Sequence, residues 1–66
     1  MIEAGDAITF PDPDEPTAMA KGTFLDVAVG EPIDGRDSAW VRYAEGEREG
    51  LTARVVYSRI RSTDGP

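Results

Sequence analysis

The sequence has no cysteine and no histidine, and these absences exclude several common chemistries. They leave no disulfide framework, no zinc finger and no catalysis by a thiolate or an imidazole. Apolar runs are only a few residues long, as at Val27–Val29, so no transmembrane helix fits. The acidic N-terminus has no basic segment followed by an apolar run, so we expect no signal peptide and a cytoplasmic protein.

Motifs for nucleotide binding and covalent catalysis are also missing. The sequence has no G-x-G-x-x-G, no glycine-rich phosphate loop with lysine, and no G-x-S-x-G. A chain of 66 residues has almost no interior in which a pocket could shift the pKa of a catalytic carboxyl group. We therefore expect one small domain over residues 1–66 that is not an enzyme and holds no cofactor.

Charge is plentiful but unevenly placed. The chain has 13 acidic and 7 basic residues, a net charge of −6, which disfavours binding to a phosphate backbone. Residues 1–35 carry eight acids and one base, whereas residues 36–66 carry five acids and six bases. Arginine outnumbers lysine six to one, which is typical of a GC-rich bacterial or phage genome, and a halophile is an alternative. This split indicates either two electrically distinct surfaces or two halves that pair across the fold, and we favour pairing.

Strand patterns alternate with turn signals in the first half. Ile8 and Phe10 share one face of a first strand. Three prolines in Pro11–Pro16 remove backbone donors, which predicts a stiff, acidic loop. A second strand follows over 23–29, and its period of two places Thr23, Leu25, Val27 and Val29 inward and Phe24, Asp26 and Ala28 outward. Gly30 is predicted to end it, and 31–37 reads as a loop.

The second half continues the pattern with one ambiguity. Residues 39–43 predict a strand with Val41 and Tyr43 inward and Trp40 and Arg42 outward. Residues 44–50 predict a hairpin connection. Residues 51–60 fit either a strand or a helix, and we favour a strand at 50–54, a 3₁₀ turn near 55–58 and a last strand at 59–61. Residues 1–4 and 62–66 are expected to fray.

Five short strands with regular turn signals predict an all-β fold, a small five-stranded barrel or sandwich. A barrel would also remove exposed sheet edges. The predicted core consists of residues that the alternation places inward: Ile8, Phe10, Leu25, Val27, Val29, Val41, Tyr43, Leu51, Ala53, Val55 and Ile60.

Several segments resemble the Src-homology-3-like small barrels, including KOW-like and Tudor-like members. They are Gly5–Ile8 entering the first strand, Gly22–Val27 as the second, Trp40–Tyr43 followed by Glu45–Gly46, and Val55–Ile60 as the 3₁₀ turn and last strand. The resemblance covers about residues 4–62. It implies an interaction module rather than an enzyme, and it does not indicate which ligand this chain binds.

Candidate contact residues fall into two groups. Outward aromatic and arginine side chains are common interface anchors, which singles out Phe24, Trp40 and Arg42, although a loop could instead cover the aromatic pair as a second core. The acidic loop contributes Asp12, Asp14 and Glu15. A hard cation is an alternative ligand for this loop, but the prolines limit convergence of its carboxylates, so we expect no metal.

A basic cluster of Arg54, Arg59 and Arg61 could touch a phosphate or an acidic partner, or could offset the acidic half. Three functions remain open from the sequence. The first is a protein-interaction module or a small subunit of a larger assembly. The second is an acidic mimic of nucleic acid that inhibits a DNA- or RNA-binding protein, and the third is a homo-oligomeric structural or virion component. We expect a protein partner, no nucleic acid and no membrane.

Overall fold

The chain forms five β-strands and a single 3₁₀ turn in the part that the computed structural model describes, residues 2–63. The elements are β1 Ala7–Asp12, β2 Glu15–Ile33, β3 Arg36–Tyr43, β4 Thr52–Val56, the 3₁₀ turn Tyr57–Arg59 and β5 Arg61–Ser62. The expected all-β class, the five strands and the 3₁₀ turn before the last strand are confirmed. Within residues 2–63 no helix has the length and apolar character needed to cross a membrane.

All neighbouring strands are antiparallel, in the order β4-β3-β2-β1-β5. A flat sheet of five strands would hold its edges about 19 Å apart. Only Tyr57–Ile60 joins β4 to β5, and a 3₁₀ turn rises about 2 Å per residue. The sheet must therefore curl strongly to bring its edges within reach. It nevertheless stays open among the described residues, because β4 and β5 do not pair, so the predicted barrel closure is not observed.

The proline-rich segment forms a hairpin, so the prediction of a loop over Pro11–Pro16 is wrong. Pro11 belongs to β1 and Pro16 to β2, with the turn at Pro13-Asp14. Backbone hydrogen bonds at Ala7 and Phe24 show which residues of β1 bond to β2 and which face the other way, and the two kinds alternate along the strand. By this alternation the nitrogen of Pro11, which has no hydrogen to donate, points away from β2. β5 has only two residues and ends short of this position. Proline is tolerated there because no ladder hydrogen bond is lost.

β2 carries a β-bulge, so a single period of two does not describe its side chains. Two residues that were predicted to face outward, Phe24 and Ala28, are buried. Phe24 pairs with Val41, and the next paired residue is Asp26 with Trp40, so Leu25 is the extra residue. Phe24 is buried in the core and its ring lies 6.0 Å from that of Tyr57. The prediction that Phe24 faces outward is therefore wrong.

The core contains eight buried residues, and six of the predicted members are among them. Phe10 and Tyr43 pack edge to face with ring centroids 5.5 Å apart. Five predicted members are not among these eight: Ala53 is half-buried and packs against the cluster, Leu25 is half-buried, and Val27, Val29 and Leu51 are exposed. The observed cluster is Ile8, Phe10, Phe24, Ala39, Val41, Tyr43, Val55 and Ile60, with Ile2, Ala20, Ala53 and Tyr57 packed against it.

Two tight connections shape the rest of the sheet. Ile33 pairs with Arg36 across Asp34-Gly35, and both turn residues have positive φ (50° and 76°), as a type I′ hairpin requires. The predicted loop over 31–37 is thus mostly strand. The connection from β3 to β4 ends at Gly50 (φ 87°), whose N–H bonds to the carbonyl of Tyr43.

The ends of the described chain are tied to the sheet. Ser62 pairs with Ile8, and the N–H of Thr63 donates to the carbonyl of Ala7 at 3.0 Å. Ile2 is half-buried against the core. Fraying was expected at residues 1–4 and 62–66, of which residues 1 and 64–66 lie outside the described part.

Candidate functional site

Arg48, in the loop between β3 and β4, binds the turn between β1 and β2. Its guanidinium donates to both carboxylate oxygens of Asp12, with Nη1 2.9 Å from Oδ1 and Nη2 bonded to Oδ2, and Nη1 reaches Asp14 Oδ2 at 2.6 Å. The same guanidinium lies 4.7 Å from the centre of the Tyr43 ring, within cation–π range. We call these four residues the Arg48 cluster.

Electrostatics in the Arg48 cluster favour the charged pair. The hydrogen bond from Arg48, with a second from the backbone N–H of Asp14, holds the pKa of Asp12 below its usual value despite burial of the carboxyl group. The bond to Asp12 raises the pKa of Arg48 in turn. Burial, and then the nearby Asp12 carboxylate, raise the pKa of Tyr43. None of these shifts moves a group toward neutral pH.

The Arg48 cluster uses most of its polar groups internally. Asp12 accepts from Arg48 and from the Asp14 backbone, and its side chain is only 8% exposed. A partner or a cation could reach this carboxylate only by breaking the pair. Asp14 and Glu15 are exposed, so they are the accessible carboxylates of the predicted acidic loop.

The outer face of β3, which we call the Trp40 face, presents Trp40 and Arg42. Trp40 is 37% exposed and lies between Asp26 of β2 and Arg54 of β4. Arg42 is exposed and is flanked by threonines on both neighbouring strands. Because Phe24, Val41 and Tyr43 fill the core on the opposite face, Trp40 and Arg42 remain on the surface, while Phe24 does not.

An open groove of about 650 Å³ adjoins this face. On one side it is lined by the β1–β2 and β2–β3 turns, and on the other side by the end of β4 and the 3₁₀ turn. Arg54 belongs to both features, because it is the cross-strand neighbour of Trp40 and also lines the groove. The lining residues are Pro11, Asp12, Pro13, Pro16, Ile33, Asp34, Arg36, Arg54, Val55, Val56 and Arg59.

The groove concentrates positive charge in an acidic protein. Arg54 pairs with Glu31 at 3.0 Å, whereas Arg36 and Arg59 are exposed and form no ion pair within residues 2–63. Two acids line the groove: Asp12 is already paired with Arg48, whereas Asp34 is exposed and forms no ion pair within residues 2–63. The three arginines therefore outnumber the one acid that is not paired with Arg48. The third arginine of the predicted basic cluster, Arg61, instead donates to backbone carbonyls at the end of the 3₁₀ turn.

Sequence patterns indicated some of these residues and missed others. Alternation around Val41 and Tyr43 placed Trp40 and Arg42 outward, and the basic cluster drew attention to Arg54 and Arg59. Arg36 and Arg48 were missed as members of these groups. The partners of Arg48 and the arginines that line the groove with Arg36 lie far away in sequence, and no local spacing marks either residue.

No group of three or more acidic side chains within residues 2–63 is arranged to hold a metal ion. Comparison of the chain with protein-family models, curated proteins and solved structures finds no match. The features that bear on function are therefore the groove, the Trp40 face and the Arg48 cluster.

Proposed function

We propose that this chain is a non-enzymatic protein-interaction module with a Src-homology-3-like architecture. The strand order and the 3₁₀ turn between β4 and β5 support the architecture. The observation that carries the function is the position of Arg54, which makes the Trp40 face and the groove one continuous surface. Tryptophan and arginine are among the residues that most often anchor a protein partner, and here they adjoin a concave surface.

The two alternative functions have less support. Two carboxylates of the acidic first half, Asp12 and Asp14, bind Arg48 rather than projecting as phosphate mimics. A homo-oligomer would need an edge strand that accepts a second copy, and Arg54 at the centre of β4 opposes this because antiparallel pairing would place it opposite its own counterpart.

Substitution of Trp40 by alanine tests the proposal. Because Trp40 lies outside the core, the variant should fold, with an unchanged circular dichroism spectrum and a similar thermal midpoint. Tagged wild-type protein should retain a partner from a lysate of its native host, and W40A and R54E should lose it. The partner would then be purified and its binding measured by calorimetry, with at least a tenfold loss of affinity expected for W40A.

Val29→Ala is the matched control, since Val29 is also apolar and exposed but is not a cross-strand neighbour of Trp40 and does not line the groove. V29A should retain the partner at wild-type level. Equal retention by wild type, W40A and R54E would contradict the proposal, as would unfolding of W40A, which would place Trp40 in the core.

A further inference from the structure

β4 is an edge strand with a free row of backbone groups. It pairs only with β3 among the described elements. The N–H of Tyr43 donates to the carbonyl of Leu51 at 2.9 Å, and antiparallel pairs alternate between bonded and non-bonded, so Ala53 and Val55 also bond to β3. The N–H groups of Thr52, Arg54 and Val56 therefore point away from the sheet, and within residues 2–63 nothing bonds to them.

The two edges of the sheet are protected to different degrees. β5 has two residues, too few to pair with a long added strand. β4 has five residues, no proline and one charge, so it lacks most of the features that prevent strand addition. The groove also runs beside this edge, because Arg54, Val55 and Val56 line it.

Charge selects what can occupy the edge of β4. A second copy, paired antiparallel over all five residues, would place Arg54 directly opposite its own counterpart, which is destabilising. Arg36 and Arg59 line the same groove without ion pairs in the described chain, and they would add to this repulsion. Carboxylates on an incoming strand would instead find three guanidinium groups within reach.

We infer that an extended, acidic segment of a partner protein adds to β4 as a sixth strand and places its carboxylates against Arg36, Arg54 and Arg59. This inference rests on the proposed interaction function and specifies its ligand. Main-chain hydrogen bonds supply the binding energy, as in other cases of strand addition, and the arginines select acidic side chains.

A synthetic strand provides the direct test. The probe is a capped decapeptide of alternating threonine and glutamate, added at millimolar concentration to ¹⁵N-labelled protein. Amide hydrogen exchange measured by NMR should slow at least fivefold at Thr52, Arg54 and Val56. Exchange at Ala53 and Val55 should change less, because those amides already bond to β3. Uniform slowing, or no slowing at the three outward amides, would overturn the inference.

Two modified peptides test strand pairing and charge separately. Methylation of alternate backbone nitrogens blocks one edge of the peptide, so one of the two methylation patterns should abolish binding and the other should leave it intact. The decapeptide with lysine in place of glutamate should not bind the wild type, and R54E should bind the lysine peptide better than the glutamate peptide. Equal binding of both methylated forms would exclude strand addition.

Val56→Pro is the matched protein variant. Val56 has φ −67°, a value that proline adopts, and its N–H points outward, so the fold should persist while one edge donor is lost. V56P should weaken peptide binding several-fold with little change in thermal midpoint. If V56P unfolds, the methylated peptides still decide the question.

The failure of this inference can be told apart from failure of the proposed function. If the host partner still depends on Trp40 and Arg54 but β4 amides gain no protection from the acidic peptide, the module stands and strand addition is wrong. If the three amides become protected as protein concentration rises without peptide, a second copy occupies the edge.

Discussion

Arg48 and Arg54 are almost equally exposed, at 34% and 35% of their side chains, yet they stand in opposite surroundings. Arg48 pairs with Asp12, whose side chain is 8% exposed, whereas Arg54 pairs with Glu31, whose side chain is 50% exposed. The exposure of the arginine therefore says little about its role. The burial of its carboxylate partner is what distinguishes a structural pair from a surface pair.

The distinction matters for function as well as stability. Removing Arg48 would leave the buried carboxylate of Asp12 without a cation, so the fold requires this arginine. Removing Arg54 would free a carboxylate that water can solvate, so Arg54 can exchange Glu31 for a partner at small cost. The sheet thus carries one fixed electrostatic contact and one exchangeable contact.

The largest expected effect is that of Arg48→Met, which keeps the aliphatic stem and removes the charge. Asp12 would be left buried without a cation, so we expect the thermal midpoint to fall by about 10 °C or more, measured by circular dichroism. The double variant D12N/R48M should recover part of the loss, because it removes the stranded charge. A midpoint within 2 °C of wild type, roughly the size of a surface substitution, would show that the contact is not structural.

Acid should weaken the same contact. The folded-state pKa of Asp12 lies below its value of 3.8 in the unfolded chain, so its contribution is present above about pH 4. That contribution declines as pH falls below this value and through the folded-state pKa. Urea unfolding at pH 7, 4 and 3 should show a smaller decline for D12N than for wild type. Identical pH profiles for the two proteins would contradict the assignment.

The smallest effect is expected for Arg54→Met. Its pair with Glu31 is exposed to solvent, so the free energy of unfolding should change by about 0–1 kcal/mol. Raising the salt concentration should reduce even this difference, since surface pairs are screened. A loss comparable to that of R48M would erase the contrast between the two arginines and remove the basis for treating Arg54 as available to a partner.

Most of the fold could be predicted from alternation and turn residues. Ile8, Phe10, Val41 and Tyr43 lie on regular stretches of strand, and their inward orientation followed from a period of two. In β2 the bulge at Leu25 means that no single phase of alternation holds on both sides of it, but it does not account for the exposure of Val27 and Val29, which both lie beyond it. A single extra residue shifts the side-chain phase, and nothing in the local sequence distinguishes it from an ordinary strand residue.

The candidate site was less predictable because it depends on contacts between distant residues. Trp40 and Arg42 could be placed outward from their own strand. The pairing of Asp12 in the acidic loop could not be predicted, because its partner Arg48 lies 36 residues further along the chain, in a loop with no periodic signal. The prolines were also misleading, because each occupies a place in the hairpin where a missing N–H costs little.

The pairing of β1 with β5 also bears on the order of events during folding. The three hairpins β1-β2, β2-β3 and β3-β4 join neighbouring segments, whereas Ile8 meets Ser62 across nearly the whole chain. Closing so long a loop has a large entropic cost, and the two paired residues of β5 offset little of it. We therefore expect the hairpins to form early and the terminal strand to pair last. The sheet of β1 to β4 would then form first and provide the edge to which β5 pairs.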